Sequence, residues 1–234
     1  MKIASYINRV LPVGSRSLLF GVHQFIWHPI TVAVAWRKIY GKWPTFLESL
    51  CILVHDWGYW GCPDMDGAQG KMHPVLGSRL AATWVARYFR FKYWSLLPLA
   101  LVFTKHGRTL VKRVWKEREV KFYLWQLRGS VNQISTRLAV EAHFLVRYHS
   151  RSLAKSENAP CSPLCAPDKL CVLFDPHWFY WLRATLSGEG REFRQNAVGK
   201  IGLQSLSHWL YWYRNSIRKQ YETARSLGGV DDKS

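Results

Sequence analysis

Three histidines and one aspartate lie at predicted helix ends in the first third of the chain. His28 and His73 each begin a predicted helix, and each precedes a proline, which favours the first helical turn. The adjacent pair His55 and Asp56 lies near the end of the helix between them. Neighbouring side chains project about 100° apart on a helix. The side chains of His55 and Asp56 can therefore reach one ion only if they bend toward a shared point at the end of the helix. Imidazole nitrogen and carboxylate oxygen suit divalent ions, so these residues are candidate metal ligands.

Two later His-x-Arg segments compete for a further histidine position. They are HGR at His106 and HSR at His149. His149 is favoured because Asp168 follows it after 19 residues, a spacing that a helix, a loop and the next helix would fill. His106 stays a candidate as an additional ligand or a residue near a phosphate. The alternative for His106 is a solvated basic surface, since Lys105 and Arg108 lie beside it.

The ordered series of histidines and aspartates resembles the HD-domain superfamily of metal-dependent phosphohydrolases. The blocks that carry the resemblance are HPITV, LVHDWGYWG, HPVLGSRLA, RYHSRSLA and CAPDKL, over roughly residues 20 to 175. The resemblance implies one or two divalent ions, of Mn, Fe, Zn, Co, Ni or Mg. It implies that Asp56 is the catalytic carboxylate that bridges two ions. The first ion's implied ligands are His28, His55, Asp56 and Asp168, and the second ion gains His73 and His149.

The activity that the resemblance implies is hydrolysis of a phosphate ester of a nucleotide or another phosphorylated small molecule. A bound metal ion would supply hydroxide near neutral pH and neutralise phosphoryl charge. Arg151, Lys169 and Arg108 are candidates for binding the substrate phosphate, although each also suits an exposed surface. Asp64 and Asp66 follow the His-Asp pair in a Gly-rich loop and are candidates for orienting water or protonating the leaving group. The alternative for both aspartates is ordinary turn formation.

Composition limits the class of protein. The chain has 234 residues with 48% hydrophobic residues, which suits one large folded domain and excludes wholesale disorder. Its 33 Lys and Arg against 15 Asp and Glu give a net charge of +18, which favours anionic partners. These partners are phosphorylated small molecules, nucleic acid or an anionic membrane surface. Five cysteines without a CxxC pair predict a reducing compartment, and the start of the chain does not resemble a signal peptide, so we expect a cytoplasmic protein.

The hydrophobic periodicity predicts an all-α fold, an HD-domain-like helical bundle. We expect a metal-binding core over 1–175, with a basic helical insertion at about 107–142. A Trp-rich helical extension over 176–228 would pack on the core, and 229–234 would form a disordered tail. The charge-free stretch Ser17 to Trp36 is long enough to span a bilayer, but its His, Gln and Pro residues favour a buried helix.

Two segments outside the ligand series have alternative interpretations. Lys105 to Arg128 carries 8 basic and 2 acidic residues with interleaved aromatics, which suits nucleic acid, anionic headgroups or a solvated amphipathic helix. Ser205 to Lys219 is amphipathic and would lie on the core, on a second subunit or on a membrane surface. The stretch SGEGREFRQNAVGK between the Trp-rich segments predicts a loop. His23 precedes His28 by five residues, which on a helix turns it away from the same ion and favours a core or surface role.

Three functions fit these patterns. The first is the metal-dependent phosphohydrolase. The second is an HD-type di-iron oxygenase, because members of that superfamily with the full set of intermediate histidines can hold two irons. The third is a non-catalytic protein that binds nucleic acid or a membrane surface. The complete ligand series argues against the third, since a structural scaffold does not need six ligand-type side chains in that order.

Overall fold

The computed structural model describes residues 11–103, 117–201 and 205–224. These residues form ten α-helices and three short 3₁₀ turns without any strand, so the all-α prediction is confirmed. The helices are α1 (Val13–Phe20), α2 (Trp27–Tyr40), α3 (Phe46–Val54), α4 (His73–Phe103), α5 (Glu117–Arg147), α6 (Arg151–Ser156), α7 (Cys165–Leu170), α8 (His177–Ser187), α9 (Glu189–Ile201) and α10 (Leu206–Ala224). The 3₁₀ turns are Trp57–Tyr59, Gly70–Met72 and Cys171–Leu173.

The two longest helices, α4 and α5, pack against each other along their length. They are antiparallel, because Gly77 near the start of α4 lies against Val146 near the end of α5. The helix α5 is continuous from Glu117 to Arg147, so the described part of the predicted insertion, 117–142, merges with a core helix without a boundary. The rest of that predicted insertion, 107–116, lies outside the described residues.

One hydrophobic cluster unites the N-terminal and C-terminal helices. Trp36 of α2 and Val146 of α5 belong to it, and so do Tyr180 of α8 and Leu210 of α10. The helices of the predicted C-terminal extension therefore complete the same core as the predicted metal-binding region. Burial of a large apolar side chain contributes about 1.5–3 kcal/mol, so these helices stabilise the whole bundle. The predicted tail, 229–234, lies outside the described residues.

Local sequence signals explain several helix ends. Thr45 and Glu48 form a capping box at the start of α3, each side chain accepting a hydrogen bond from the other's backbone N–H. Gly41 ends α2 with φ of 68° and Gly188 ends α8 with φ of 87°, a conformation in which glycine carries no steric penalty. The loop predicted for SGEGREFRQNAVGK is wrong, because α9 begins directly after Gly188. Gly188 ends one helix, and Glu189 and Glu192 lie in the first turn of the next, where acidic side chains stabilise a helix.

The stretch from Ser17 to Trp36 is not one helix. It contains the end of α1, a turn over residues 21–26 and most of α2, and several of its apolar side chains are in the core. Within the described residues, every helix is too short or too polar to cross a bilayer. The five cysteines are all free thiols.

Candidate metal centre

The helix ends bring six histidine and aspartate side chains to one place. His28 lies in the first turn of α2, and His73 is the first residue of α4. His55 caps the end of α3 and is followed by Asp56. The last two come from the C-terminal half of the chain: His149 lies just after α5, and Asp168 lies in α7. All four histidines and Asp56 are buried, and Asp168 is half-buried.

A first group of ligand atoms comes from His28, His55, Asp56 and Asp168. The Nε2 atoms of His28 and His55 are 3.3 Å apart. Asp56 Oδ2 lies 3.1 Å and 3.2 Å from these two nitrogens, and Asp168 Oδ1 lies 3.4 Å from each. Ligands at 2.0–2.1 Å from a tetrahedral ion are about 3.3 Å apart, so the spacing fits a transition-metal ion.

A second group comes from His73, His149 and Asp56. The Nε2 atoms of His73 and His149 are 3.1 Å apart, and they lie 3.5 Å and 3.7 Å from Asp56 Oδ1. Three protein ligands leave coordination positions open, as catalytic sites require and structural sites do not. Asp56 offers Oδ2 to the first group and Oδ1 to the second, so one carboxylate joins the two groups.

Three of the histidines are oriented in the same way. The Nδ1 atoms of His55, His73 and His149 each donate to the carbonyl oxygen three residues earlier, at 2.7, 2.6 and 2.5 Å. His28 differs, because its Nδ1 lies 3.7 Å from the Cys171 thiol. A ring that donates through Nδ1 in its neutral form presents a lone pair at Nε2, which is the form that binds a metal.

The arrangement leaves an electrostatic need for a cation. Asp56 Oδ2 is buried and has no hydrogen-bond donor among the described residues, although two imidazole Nε2 atoms lie close to it. Lone pairs that face one another repel unless a positive charge lies between them. In the metal-free protein a proton on His55 supplies this positive charge. Burial lowers the pKa of His55, but the Asp56 and Asp168 carboxylates outweigh it and raise that pKa to about 9. The donor set therefore fits a divalent ion that replaces that proton.

In the second group, His73 favours the neutral imidazole form. Burial lowers the pKa of His73 well below its usual value, and the charge of His149 acts in the same direction. Burial opposes ionisation of Asp56, yet the charges of His55 and His23 hold its pKa well below the usual range. A neutral histidine and an ionised carboxylate are the states that coordinate a metal ion.

A cavity of about 510 Å³ opens beside both groups. Its wall includes Asp56, His73, His149 and Asp168. Lys71 and Lys169 also line it and bring positive charge next to the ligand groups. Burial lowers the pKa of Lys169, but the neighbouring Asp168 carboxylate outweighs it and raises that pKa, so the ammonium stays charged. The cavity therefore combines metal-ligand atoms with cations, as an anionic ligand would require.

His23 also lines the cavity, although it belongs to neither ligand group. Its Nδ1 lies 3.0 Å from Glu189 Oε2 and 2.9 Å from Ser17 Oγ. Glu189 is fully buried, and its Oε1 accepts hydrogen bonds from Val22 N–H and the Ser187 hydroxyl. The hydrogen bonds to His23, the largest effect opposing burial, lower the pKa of Glu189. The ionised Glu189 thus fixes the His23 ring and leaves Nε2 as the nitrogen available to the cavity.

The predicted substrate-binding and proton-transfer residues divide between cavity and surface. Lys169 and Asp66 line the cavity. Asp64 instead accepts a hydrogen bond from Gly70 N–H at 2.7 Å, which closes the loop between these two residues. Arg151 is exposed and donates to the Gln220 side chain at 3.2 Å, outside the cavity wall. His106 and Arg108 lie outside the described residues.

The cavity also contains residues that the sequence patterns did not indicate. Tyr59 stacks on the His73 ring with their centroids 3.7 Å apart, and Lys71 follows in the 3₁₀ turn before α4. Asn196 of α9 donates to Asp66 at 3.1 Å, while Glu192 accepts from the backbone N–H groups of Met65 and Asp66. The sequence signal that could have indicated Tyr59 and Lys71 is their closeness along the chain to the His-Asp pair and to His73.

Comparison with protein families, curated proteins and solved structures finds no match to this chain.

Proposed function

We propose that the chain is a metal-dependent phosphohydrolase, similar to the HD-domain superfamily, that cleaves a phosphate ester of a nucleotide or another phosphorylated small molecule. The observation that carries the proposal is the pair of ligand groups joined by Asp56 in the wall of a cationic cavity. Open coordination positions and nearby lysines suit an anionic substrate that approaches the ions directly.

Each residue has a role in this proposal. His28, His55, Asp56 and Asp168 would hold one ion, and Asp56, His73 and His149 the other. Bound divalent ions supply a nucleophile from water near neutral pH and neutralise phosphoryl charge. Lys169 and Lys71 would hold the substrate's phosphoryl oxygens as point charges. His23, fixed by Glu189, would hydrogen-bond to the leaving-group oxygen.

A di-iron oxygenase is the second candidate. Four imidazole nitrogens with a shared carboxylate also suit iron, so the donor set alone favours neither chemistry. The two lysines in the cavity favour phosphate as the substrate group, which is why hydrolysis is the first proposal.

The first test is elemental analysis of protein purified without chelator, comparing the natural chain with Asp56→Ala. We expect about two divalent ions per natural chain and loss of both in the variant, because Asp56 contributes to each group. Asp66→Asn is the matched control, since Asp66 lines the same cavity outside the ligand groups and its variant should keep the ions. A natural chain that binds no ion after reconstitution with excess metal would rule out the enzymatic proposal.

The second test is a phosphate-release screen over nucleotides and sugar phosphates with the metal-loaded protein. We expect release by the natural chain and none above background by Asp56→Ala. Lys169→Met should raise KM because it removes a positive charge from the cavity wall and leaves the six candidate ligand side chains in place. Two irons per chain and oxygen consumption without phosphate release would favour the oxygenase instead.

A further inference from the structure

The exposed side of α4 carries an aromatic stripe, which we define as Trp84, Tyr88 and Phe91. Their exposed fractions are 41%, 40% and 74%, although aromatic side chains of this size are ordinarily buried. Spacings of four and three residues place the three rings on one face of the helix. The core residues Ala81 and Val85 lie on the adjoining side of α4, about 50° and 95° round the helix from the stripe's centre. The stripe therefore lies at the rim of the core, where Trp84 contacts Trp57 and Tyr88 contacts Phe46 while their outer sides and Phe91 stay exposed.

Basic residues flank the stripe. At 100° per residue, Arg87 lies to one side of the stripe's centre and Lys92 to the other, and Arg90 lies further round the helix. All three are exposed and have no ion-pair partner within the part of the chain that the structure describes. The helix α4 contains no Asp or Glu, and residues 67–116 carry ten Lys and Arg with no acidic residue at all.

Exposed aromatic rings flanked by basic side chains favour one class of partner. We propose that the aromatic stripe and its flanking basic residues dock the protein on an anionic phospholipid membrane, with α4 lying in the headgroup region. Tyr and Trp side chains favour that region, Phe enters the acyl boundary and Lys or Arg bind anionic headgroups. The proposal is independent of the proposed hydrolase activity.

Two other occupants fit less well. A second copy of this chain would bring another +18 against a basic surface, which charge repulsion opposes. Nucleic acid would satisfy the basic residues, but residues 93–103, YWSLLPLALVF, continue α4 with no charged residue. Apolar sequence next to a basic aromatic surface suits lipid better than a phosphate backbone. No described helix can cross a bilayer, so the proposed contact is peripheral.

The test is co-sedimentation of the full chain with vesicles of pure phosphatidylcholine and of phosphatidylcholine with 30% phosphatidylglycerol. We expect binding to the anionic vesicles only, and weaker binding as salt rises. Each basic residue near an anionic surface contributes about fivefold to the partition coefficient, so Arg87→Gln, Arg90→Gln and Lys92→Gln together should lower binding about 100-fold. Phe91→Ala should lower it about tenfold.

Matched controls separate this surface from general charge and hydrophobicity. The substitutions Lys155→Gln, Arg191→Gln and Lys219→Gln remove the same charge from exposed positions on other helices and should weaken binding far less. Trp178→Ala removes a 67% exposed aromatic from α8 and should leave binding unchanged. Equal losses in the stripe and control variants would overturn the proposal. So would absence of vesicle binding, or binding of a DNA duplex in preference to anionic vesicles.

Discussion

At the scale of single residues, the centre depends on which atom each side chain offers. Backbone carbonyls hold the Nδ1 atoms of three histidines, so their Nε2 atoms converge on Asp56. The Nδ1 atom of His23 is instead held by the Glu189 side chain, a carboxylate with a full negative charge. Among the described residues, His23 is the histidine whose Nδ1 contacts a buried carboxylate, which leaves its Nε2 for a hydrogen bond in the cavity.

We predict that His23→Gln lowers kcat about 100-fold or more and leaves the metal content unchanged, because His23 is outside both ligand groups. Glu189→Gln should change kcat in the same direction by less, since it removes the charge that orients the ring and keeps its size. Steady-state kinetics and metal analysis on the same preparations check both variants. His143→Gln, a half-buried histidine away from the cavity, is the control. Metal loss in His23→Gln would contradict the assigned role.

The sequence predicted which histidines and aspartates come together better than it predicted their surroundings. The prolines after His28 and His73 favour helix starts at these positions. A glycine follows the His-Asp pair and marks a helix end. Local sequence signals were therefore enough to predict that these residues lie at helix ends. His23 was predicted to turn away from the ion because it precedes His28 by five residues on a helix. It lies instead in the turn before α2, where helical geometry does not apply. Its partner Glu189 is 166 residues away, a separation that no local pattern spans.

At the scale of elements, two close backbone approaches hold the histidines in register. A Cβ on Gly58 would lie 1.9 Å from the His73 carbonyl oxygen, and a Cβ on Gly77 would lie 2.5 Å from the His55 carbonyl oxygen. The 3₁₀ turn after the His-Asp pair and the first turns of α4 are therefore in backbone contact. Only glycine allows that contact.

We predict that Gly77→Ala destabilises the protein by about 1–3 kcal/mol, because backbone must move to admit the methyl group. The variant should also lose metal affinity, since the displaced backbone belongs to His55. Gly129→Ala in α5 is the control: no atom outside its own helix lies within 4 Å of the added Cβ, and alanine in a helix should stabilise by about 0.5–1 kcal/mol. Urea unfolding and metal titration measure both effects. Equal stabilisation by the two substitutions would refute the close approach.

At the scale of the whole molecule, the candidate metal ligands come from distant parts of the chain. They come from positions 28 to 168 and from the ends of α2, α3, α4 and α5 together with α7. An ion that binds only the folded chain stabilises it by mass action, about 2.7 kcal/mol at 100 times the dissociation constant. Metal binding is thus expected to stabilise the bundle as well as the site.

We predict that, at a metal concentration of about 100 times the dissociation constant, adding a chelator lowers Tm by about 5–10 °C, measured by calorimetry. In Asp56→Ala the metal-loaded and chelated samples should have the same Tm. The difference should grow with pH. His55 has a folded pKa of about 9 without metal and an ordinary value near 6.5 when unfolded, so the metal-free protein loses stability as pH rises between these values. In the loaded protein an ion occupies that position and the loss does not occur. A Tm difference that shrinks from pH 6.5 to 9 would contradict the assignment.

The two glycines also provide a signature for finding relatives of this chain. A centre of this construction needs glycine two residues after Asp56 and four residues after His73, where side chains would separate the ligand-bearing turns. A search for His-Asp-x-Gly followed by His-Pro-x-x-Gly therefore tests for the geometry itself. Chains that carry the histidines and aspartates without those glycines are not expected to bring the turns this close.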